Sequence, residues 1–355
     1  ENERRRTAAL DLQVQGRLVT GPLQHRLSAG VLLTRVEQRM QRQAYNYVGA
    51  GRIEADLIAP ADPALTDENT DRDERSRELY LRDAMRLGDR WQLWAGLRHT
   101  RIERDSVRTD GSRPTASTPS FTVPWLALGF EPRAGLMVYA SWGQGVESEV
   151  VPNRSRYRNA GQTLPALKSR QLEAGVKWAA NGSDASATVF DIRRPTANDG
   201  CDAAGICERR IDGDARHRGL ELAAGLRDGP WTLRGSALWL QAERRGSADA
   251  SLNGLAPPNV PDRSLKARLA RELGPSLTLH ADLVHEGRRA VLPDNSVMLG
   301  GWTTANAGAT WRLTLAGAAA RLRLAVCSGM SDDYVPTFPT VVLHASIGHR
   351  RTMTP

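Results

Sequence analysis

The stretch Arg216-His217-Arg218-Gly219-Leu220-Glu221-Leu222-Ala223-Ala224-Gly225-Leu226 decides the fold of this protein. In its second half every second residue belongs to one apolar set, and the members of that set are Leu220, Leu222, Ala224 and Leu226. A period of two predicts a β-strand with one apolar face and one polar face. The tripeptide Asp228-Gly229-Pro230 then predicts a tight turn, after which a second strand begins at Trp231.

The same alternation recurs along the chain, at residues 136–142, 171–178 and 303–313. Alternation over this length predicts strands with one apolar face and one polar face. A membrane barrel turns its apolar face to lipid, whereas a soluble barrel or sandwich fills its interior with large apolar residues. Several apolar rows are rich in alanine, and the polar rows carry charged residues. This composition slightly favours a lipid-facing barrel over a soluble fold, but both alternatives stay open.

Very short and very long connections alternate between these strands. The sequence predicts tight turns near residues 20–22, 87–90, 131–134, 181–184, 228–230, 273–276 and 316–319. It predicts long polar loops at residues 40–73, 105–119, 143–167, 194–212, 244–261 and 287–299. Outer-membrane barrels have short periplasmic turns and long external loops, whereas soluble sandwiches mix loop lengths. We therefore predict an all-β fold, an antiparallel transmembrane β-barrel of which this chain holds about 14 strands.

Tryptophan positions support a membrane location. Six tryptophans fall on the apolar face of their own strands, close to a short turn or to the start of a long loop, and they are Trp91, Trp142, Trp178, Trp231, Trp239 and Trp311. Two aromatic girdles at the membrane interfaces would use tryptophan in this way. Trp302 breaks the pattern, and tryptophans that fill a soluble core are the alternative.

Composition limits the class of protein. No run of about 18 apolar residues occurs, which excludes a helical membrane span. The mean hydropathy of −0.44 fits either a soluble all-β protein or a barrel with alternating strands. The net charge is +8, but the arginines are scattered, so we predict no nucleic-acid partner. They indicate the solvated face of amphipathic strands, or a cationic lumen that attracts anionic ligands.

The cysteines and the lack of the usual catalytic motifs limit the chemistry that the chain can carry. Cys201 and Cys207 enclose five residues, and a disulfide could close that loop in an oxidising compartment, with two free thiols as the alternative. Cys327 is left over. No histidine or cysteine stands at zinc-like spacing, and no nucleophile elbow, phosphate loop or His-Glu-x-x-His motif occurs. We predict no metal site, no catalytic residue and no enzyme.

Several stretches resemble the barrel of TonB-dependent outer-membrane receptors of the ferric-siderophore type. They are Leu79-Tyr80-Leu81-Arg82-Asp83 with Leu87-Gly88-Asp89-Arg90-Trp91-Gln92-Leu93, Val138-Tyr139-Ala140-Ser141-Trp142-Gly143-Gln144-Gly145, Leu164-Pro165-Ala166-Leu167-Lys168-Ser169-Arg170-Gln171-Leu172-Glu173-Ala174-Gly175-Val176-Lys177, and His217-Arg218-Gly219-Leu220-Glu221. Each stretch alone is weak, but their order and spacing from about residue 75 to 325 make the resemblance specific.

The resemblance implies a barrel of about 22 strands plugged by an amino-terminal domain. It also implies an outer-membrane location, a ferric siderophore as ligand, a TonB complex that acts through the plug, and iron carried only as a chelate, without a cofactor. We expect residues 1–326 to form the carboxyl-terminal barrel portion without the plug. We expect residues 327–355 to be an irregular tail or a divergent or frameshifted last strand. Such a fragment is expected to be inactive alone, because open sheet edges are not stable in lipid.

If this piece contacts a ligand, the long loops are the expected place. Arg154, Arg156, Tyr157 and Arg158 combine cations with an aromatic ring, which suits an anionic iron chelate, and a solvated loop is the alternative. Three other functions stay open at this stage. They are a passive porin or autotransporter barrel, an outer-membrane enzyme with a histidine at the membrane rim, and a soluble all-β protein.

Overall fold

The computed structural model describes residues 3–43, 64–315, 318–331 and 340–347, and in these residues the regular secondary structure is β-strand apart from one short 3-10 turn. The strands are β1 (Arg4–Thr20), β2 (Leu23–Arg39), β3 (Thr70–Leu87), β4 (Trp91–Arg108), β5 (Thr115–Ser117), β6 (Ser120–Arg133), β7 (Leu136–Glu147), β8 (Leu167–Ala180), β9 (Ser183–Cys201), β10 (Cys207–Asp228), β11 (Trp231–Arg245), β12 (Arg263–Leu273), β13 (Leu277–Glu286), β14 (Arg289–Ala290), β15 (Met298–Leu299), β16 (Trp302–Leu315), β17 (Ala318–Ser331) and β18 (Thr340–Ile347). One 3-10 turn, Ala250–Leu252, lies between β11 and β12. No helix of the described ranges is long and apolar enough to cross a membrane.

One antiparallel sheet of sixteen strands contains every long strand of the described residues. Strands that follow one another in the chain are neighbours in the sheet from β1 to β18, except that β5 pairs only with β4 and that β14 and β15 form a separate pair. Within the described residues β1 pairs with β2 alone and β18 with β17 alone. The predicted all-β antiparallel fold is confirmed, and the number of strands is close to the predicted 14.

Most tight turns lie where the sequence predicts them, but the turn predicted at residues 131–134 is shifted to residues 134–135, because β6 runs to Arg133 and β7 begins at Leu136. Gly21, Gly182, Gly229 and Gly274 each have a positive φ, between 52° and 78°, a region that favours glycine. Asn181 precedes Gly182 with φ 50°, so this hairpin uses two consecutive left-handed residues, as a type I′ turn requires. The turn predicted at residues 316–319 includes residues 316 and 317, which lie outside the described residues.

Most long connections are shorter than the sequence predicts, because strands continue into them, whereas the one predicted at residues 287–299 extends to residue 301. Residues 194–212 were expected to be a loop, but β9 runs to Cys201 and β10 starts at Cys207, so only five residues form the turn. The polar composition of this segment resembles that of a loop. Where a strand extends into water it needs no apolar face, because its backbone hydrogen bonds form without one. The apolar alternation that would have predicted a strand is therefore missing here. Residues 44–63 of the loop predicted at 40–73 lie outside the described residues.

The pairing register divides the sheet into two faces, because residues directly opposite each other share a face. We call the face that carries Leu220 the apolar face, and the face that carries Glu221 the polar face. Leu220 is opposite Val189 on one side and Trp239 on the other. Large exposed side chains follow the apolar face around the sheet, among them Leu12, Leu33, Leu81, Leu97, Leu128, Val138, Leu172, Val189, Leu222, Leu233, Leu269, Leu279 and Leu324. A soluble protein would bury such a surface.

The register places the six predicted tryptophans on the apolar face. Trp91 is opposite Phe130, and the two rings are 4.5 Å apart at their centroids. At the short-turn end Trp178, Trp231 and Trp311 occupy equivalent positions, and Trp142 and Trp239 lie toward the long loops. Trp302 is on the polar face, as expected, and so are Trp94 and Trp125, which the sequence pattern did not single out.

Aromatic rings on the polar face lie over glycines of the neighbouring strand. A Cβ atom added to Gly30 would overlap the ring of Tyr80, whose hydroxyl donates to Asp11 Oδ1 at 2.9 Å. Trp125 lies over a glycine in the same way, as do Tyr139, Phe190 and His280, and the glycines concerned are Gly96, Gly175, Gly219 and Gly308. The rings cover backbone that glycine would otherwise leave exposed, which stabilises a strand at its weakest residue.

The carboxyl-terminal region also contributes strands. β17 passes residue 326 and ends at Ser331, and β18 pairs with it from Thr340, opposite Cys327, to Ile347, opposite Ala320. Residues 332–339 and 348–355 lie outside the described residues, and so does the side chain of Cys327. The division of the chain at residue 326 stays a prediction.

The rings over glycines give a test of the packing on the polar face. We expect Gly30→Val to lower the stability of the chain refolded in detergent micelles by about 1–3 kcal/mol, because the new side chain would displace Tyr80. Gly16→Val is the matched control, since a Cβ atom on Gly16 would have no atom within 4 Å. The measurement is the urea midpoint of tryptophan fluorescence, and equal midpoints for the two variants would contradict the packing described here.

Candidate functional site

The loops at the long-loop end of the sheet form the only cluster of buried apolar side chains found among the described residues. The β7–β8 connection (residues 148–166) packs on the tip of the β9–β10 hairpin (residues 196–212), and we call these two segments the loop cluster. Its core consists of Val151, Tyr157, Leu164 and Cys207, with Ala160 and Ala197 packed against them. Val151 has no exposed surface at all. No such core is found in the rest of the described sheet, so the loop cluster is a distinct structured unit.

The hairpin tip is held by covalent and polar links. Cys201 and Cys207 form a disulfide bond and are directly opposite each other in the register. Asp202 begins the turn between them, and its Oδ1 accepts the amide hydrogens of Ala204 and Ile206 at 3.0 and 2.9 Å. The amide of Ile206 contributes most to lowering the pKa of Asp202. The tip is therefore an ordered platform for the neighbouring loop.

The β7–β8 connection joins this platform as a short parallel strand. Tyr157 and Cys207 form a parallel bridge, in which the Cys207 amide donates to the Arg156 carbonyl at 2.6 Å and the Arg158 amide to the Cys207 carbonyl at 2.9 Å. Asn159 adds a side-chain link, because its Nδ2 donates to the Arg209 carbonyl at 2.7 Å. The path of residues 156–159 is thus fixed by main-chain hydrogen bonds.

A partly exposed ion network lies beneath the bridge. The Tyr157 hydroxyl donates to Asp199 Oδ2 at 2.6 Å, and Arg209 holds both oxygens of Asp199 at 2.7 and 2.9 Å. Arg209 also reaches Glu149 Oε1 at 3.1 Å. The Arg209 guanidinium, followed by Tyr157, lowers the pKa of Asp199, and Asp199 raises the pKa of Arg209. These contacts keep both groups charged and tie the β7–β8 connection to the hairpin.

Two further loops contact the loop cluster. Asn153 Nδ2 donates to the carbonyl of Arg113, in the β4–β5 connection, at 2.8 Å. On the other side Asp212 accepts the amide of Ala248 at 2.7 Å and the hydroxyl of Ser247 at 2.6 Å, both in the β11–β12 connection. These hydrogen bonds, that of Ser247 first, lower the pKa of Asp212. Contacts between loops therefore extend continuously from β4 to β12.

The four residues predicted to contact a ligand occupy different positions in this cluster. Tyr157 is buried, with 3% of its surface exposed, so its side chain serves to dock the loop. Arg154, Arg156 and Arg158 are exposed on top of it. Arg158 Nη2 donates to Asp202 Oδ2 at 2.6 Å, whereas the one acidic partner seen for Arg154 among the described residues is Asp67, at 3.8 Å.

Arg156 has no acidic partner in the described part of the chain. Its guanidinium lies 5.1 Å from the centre of the Tyr157 ring, and Nη2 donates to the Tyr157 hydroxyl at 3.2 Å. The three arginines thus form a cationic surface above acids that already have partners. Such a surface can attract an anion and donate several hydrogen bonds to it. Ligand binding by these residues stays a prediction.

The sequence analysis did not identify Asp199, Arg209 and Asn159, which hold the loop. A usable signal was present, because charged residues flank both cysteines, with Asp199 before Cys201 and Arg209 after Cys207. No group of three or more metal-binding side chains is found among the residues that the structure describes.

One wall of antiparallel strands, with short turns at one end, packed loops at the other and an exposed apolar face, defines the class of outer-membrane β-barrel walls. The family model described as "TonB dependent receptor-like, beta-barrel" matches residues 2–326. The chain therefore belongs to the TonB-dependent receptor β-barrel family, as its sequence motifs indicate.

Known proteins agree with this assignment. The ferrichrome receptor FcuA of Yersinia enterocolitica is 23% identical over 335 residues, which cover 85% of this chain and 41% of that receptor. The probable TonB-dependent siderophore receptor PiuA of Acinetobacter baumannii is 22% identical over 323 residues, 78% of this chain and 42% of that receptor. The chain thus spans less than half the length of these relatives.

Solved structures show the same fold. The ferric preacinetobactin receptor BauA from Acinetobacter baumannii superposes with a TM-score of 0.77 at 18% identity, over 96% of this chain and 53% of that one. The ferric-catecholate import receptor Fiu from K12 E. coli gives a TM-score of 0.73 at 15% identity, over 91% of this chain and 50% of that one. At these identities the likeness shows the fold alone.

The ion network makes a prediction about the docked loop. We expect Asp199→Asn to release the β7–β8 connection, because the substitution removes the charged acceptor shared by Tyr157 and Arg209. Trypsin should then cleave after Arg154, Arg156 or Arg158 about tenfold faster, which mass spectrometry of the fragments measures. The tenfold change corresponds to about 1.4 kcal/mol of lost docking free energy. Glu208→Gln is the control on the same hairpin, and equal cleavage of both variants would refute the docking role.

Acidification should release the same loop. The pKa of Asp199 is lowered in the folded protein, so its contribution to docking is fully present above the ordinary Asp pKa of about 3.9. It is lost as the pH falls below that value and through the lowered pKa. We expect faster hydrogen exchange of the Val151 amide, which donates to the Gln162 carbonyl at 2.9 Å, below about pH 4. A profile that is the same in wild type and Asp199→Asn would contradict this assignment.

Proposed function

We propose that this chain is the barrel portion of an outer-membrane receptor that takes up a ferric siderophore in a TonB-dependent manner. The observation that carries the proposal is the family match over residues 2–326. The names of the relatives support it, since FcuA is a ferrichrome receptor and BauA is a ferric preacinetobactin receptor. Iron is cargo in this proposal, carried as a chelate, and the protein needs no cofactor. The family consists of transport receptors, and we propose that this chain is likewise not an enzyme.

The wall has the features that lipid on one side and water on the other require. Its apolar face exposes leucine and valine along most strands, and its polar face carries charged groups. We propose that Trp91, Trp142, Trp178, Trp231, Trp239 and Trp311 form the aromatic girdles at the two interfaces. Trp231 and Trp239 are eight residues apart, which corresponds to about 19 Å across a tilted strand. That distance is somewhat less than the apolar band of about 25 Å.

The loop cluster is the proposed place of ligand contact in this portion. Its exposed arginines, Arg154, Arg156 and Arg158, lie on an ordered support, which reduces the entropy cost of binding. Tyr157 contributes by holding that support. Guanidinium groups bind carboxylate and catecholate oxygens well, because each donates several hydrogen bonds in a fixed geometry. The siderophore is therefore expected to carry negative charge.

Transport needs partners beyond the wall. We propose that a plug domain and the TonB complex that acts on it complete the receptor. The 355 residues are expected not to transport by themselves, because in the described sheet the outer edges of β1 and β18 have no partner strand. Open edges in lipid leave backbone groups unsatisfied. A passive porin or autotransporter barrel is the second candidate, and the family match argues against it.

A detergent partition experiment tests the membrane assignment. On warming a Triton X-114 solution, we expect the chain to enter the detergent phase, because its apolar face lacks a protein partner. Leu222→Arg should reduce this partition, whereas Ala223→Arg, on the polar face of the same strand, should not. A charge facing lipid costs about 2–4 kcal/mol at mid-depth. Retention of the wild-type chain in the aqueous phase would refute a lipid-facing wall.

A binding experiment tests the ligand surface. Combined Arg154→Gln, Arg156→Gln and Arg158→Gln should weaken binding of an anionic ferric tris-catecholate by about tenfold or more, since a hydrogen bond to a charged group contributes about 1.5–3 kcal/mol. Binding of an uncharged ferric trihydroxamate should change less. Arg133→Gln, at the short-turn end, is the control. Fluorescence quenching measures both chelates, and equal affinity of the triple variant and wild type would exclude these arginines from the site.

A further inference from the structure

Five cations stand on the apolar face of three neighbouring strands, where that face approaches the long loops. They are Lys168 and Arg170 of β8, Arg193 of β9, and Arg216 and Arg218 of β10, and we call them the outer basic patch. Their face follows from the register, because Arg218 lies two residues beyond Leu220 and is opposite Asp191, which is itself opposite Leu172. They differ from the arginines of the loop cluster, which stand above the sheet.

The register brings like charges into direct opposition. Arg170 of β8 is opposite Arg193 of β9, and Arg193 is opposite Arg216 of β10. Like charges directly opposite each other destabilise a sheet. Three guanidinium groups in one row across adjacent strands therefore need anions around them.

The protein supplies only part of that charge. Asp191 accepts from Arg216 Nε at 3.0 Å and lies 3.5 Å from Arg218 Nε. Glu243 is opposite Arg216 and pairs with Arg245. No hydrogen bond or ion pair of Lys168, Arg170 or Arg193 is seen in the ranges that the structure describes, and these three side chains are exposed. The positive charge is thus only partly compensated at this edge of the apolar face.

The patch lies at a definite depth. Arg170 is eight residues from Trp178 on the same strand, the interval that also separates Trp231 from Trp239. With a tilted strand this corresponds to about 19 Å from the short-turn girdle. The guanidinium groups therefore reach the level of the opposite interface, where long cationic side chains place their charged ends beyond the apolar layer.

An apolar groove lies directly beneath the patch. It has a volume of about 580 Å³, and Trp142, Leu172 and Val189 are among its lining residues. Asp191 also lines it, at the end nearest the outer basic patch. Leu172 and Val189 are more than half exposed, at 59% and 55%. A groove for hydrocarbon below a row of arginines matches an amphiphile with an anionic head and an apolar tail.

We propose that the outer basic patch binds a phosphate-bearing lipid of the outer leaflet, with the phosphate between Arg170 and Arg193 and an acyl chain in the groove. Arginine favours phosphate because its planar fork donates two parallel hydrogen bonds. The proposal rests on the outer-membrane location proposed above. It concerns a surface separate from the loop cluster, so it can fail while siderophore binding holds.

The test uses the full chain in detergent micelles, with diphosphoryl lipid A as the probe and its dephosphorylated form as the comparison. We expect the phosphorylated lipid to bind at least about tenfold more tightly, and we expect Arg170→Gln with Arg193→Gln to abolish that difference, since each arginine–phosphate pair is a charge-assisted hydrogen bond. Arg271→Gln is the matched control. It is on the same face at the short-turn end, 4.8 Å from the Trp231 ring.

Each outcome decides the proposal. Equal binding of the two lipids, or an unchanged preference in the double variant, would overturn it. Displacement of the lipid by an equal concentration of inorganic phosphate would mean a free-anion site and would also overturn it. If the glutamine variant does not fold, Arg170→Lys with Arg193→Lys keeps the charge and should weaken the preference only partly. Loss of the phosphate preference in a chain that still enters the detergent phase refutes this proposal and leaves the receptor function intact.

Discussion

Backbone amides and carbonyls in lipid have no water to bind, so each must find its partner in the next strand. The register of the sheet carries this constraint, because a slip of one residue would move every side chain to the opposite face. Two register shifts lie among the long neighbouring strands described, at Phe130/Arg133 and at Ile211/Asp214. Both lie at the ends of the apolar row. Both register shifts therefore lie where water can bind the backbone groups that the sheet leaves unpaired.

At the long-loop end, the structure is held by side-chain contacts and a disulfide bond. Strands in water cannot rely on a lipid-facing row, and the chain uses side chains in its place. The disulfide of Cys201 and Cys207, the Asp199–Arg209 pair and the Tyr157 ring hold one loop against a hairpin. The small apolar core found there resembles that of a soluble protein. Among the described residues, the chain thus combines a membrane-type sheet without a buried apolar core and a long-loop end that has one.

The wall could be predicted from the sequence because its signal is periodic. Leu220, Leu222 and the tryptophan spacing show the face directly, and the glycine-containing turns set the strand ends. The segment at 194–212 could not be predicted as a hairpin, since strands in water lack that period. The roles of Tyr157 and Asp199 depend on contacts across 42 residues of sequence, which no local pattern reveals. The composition of the loop predicts that Arg154 and Arg156 are exposed. It does not predict the loop cluster that supports them.

The rings that lie over glycines link the choice of residue on one strand to that on its neighbour. Tyr80 needs the empty space above Gly30, and Trp125 needs that above Gly96. Neither member of such a pair can vary freely while the other stays constant. A library that randomises the polar face one position at a time would thus sample mostly defective proteins. Engineering this surface therefore requires changing each glycine together with the aromatic residue that lies over it on the neighbouring strand.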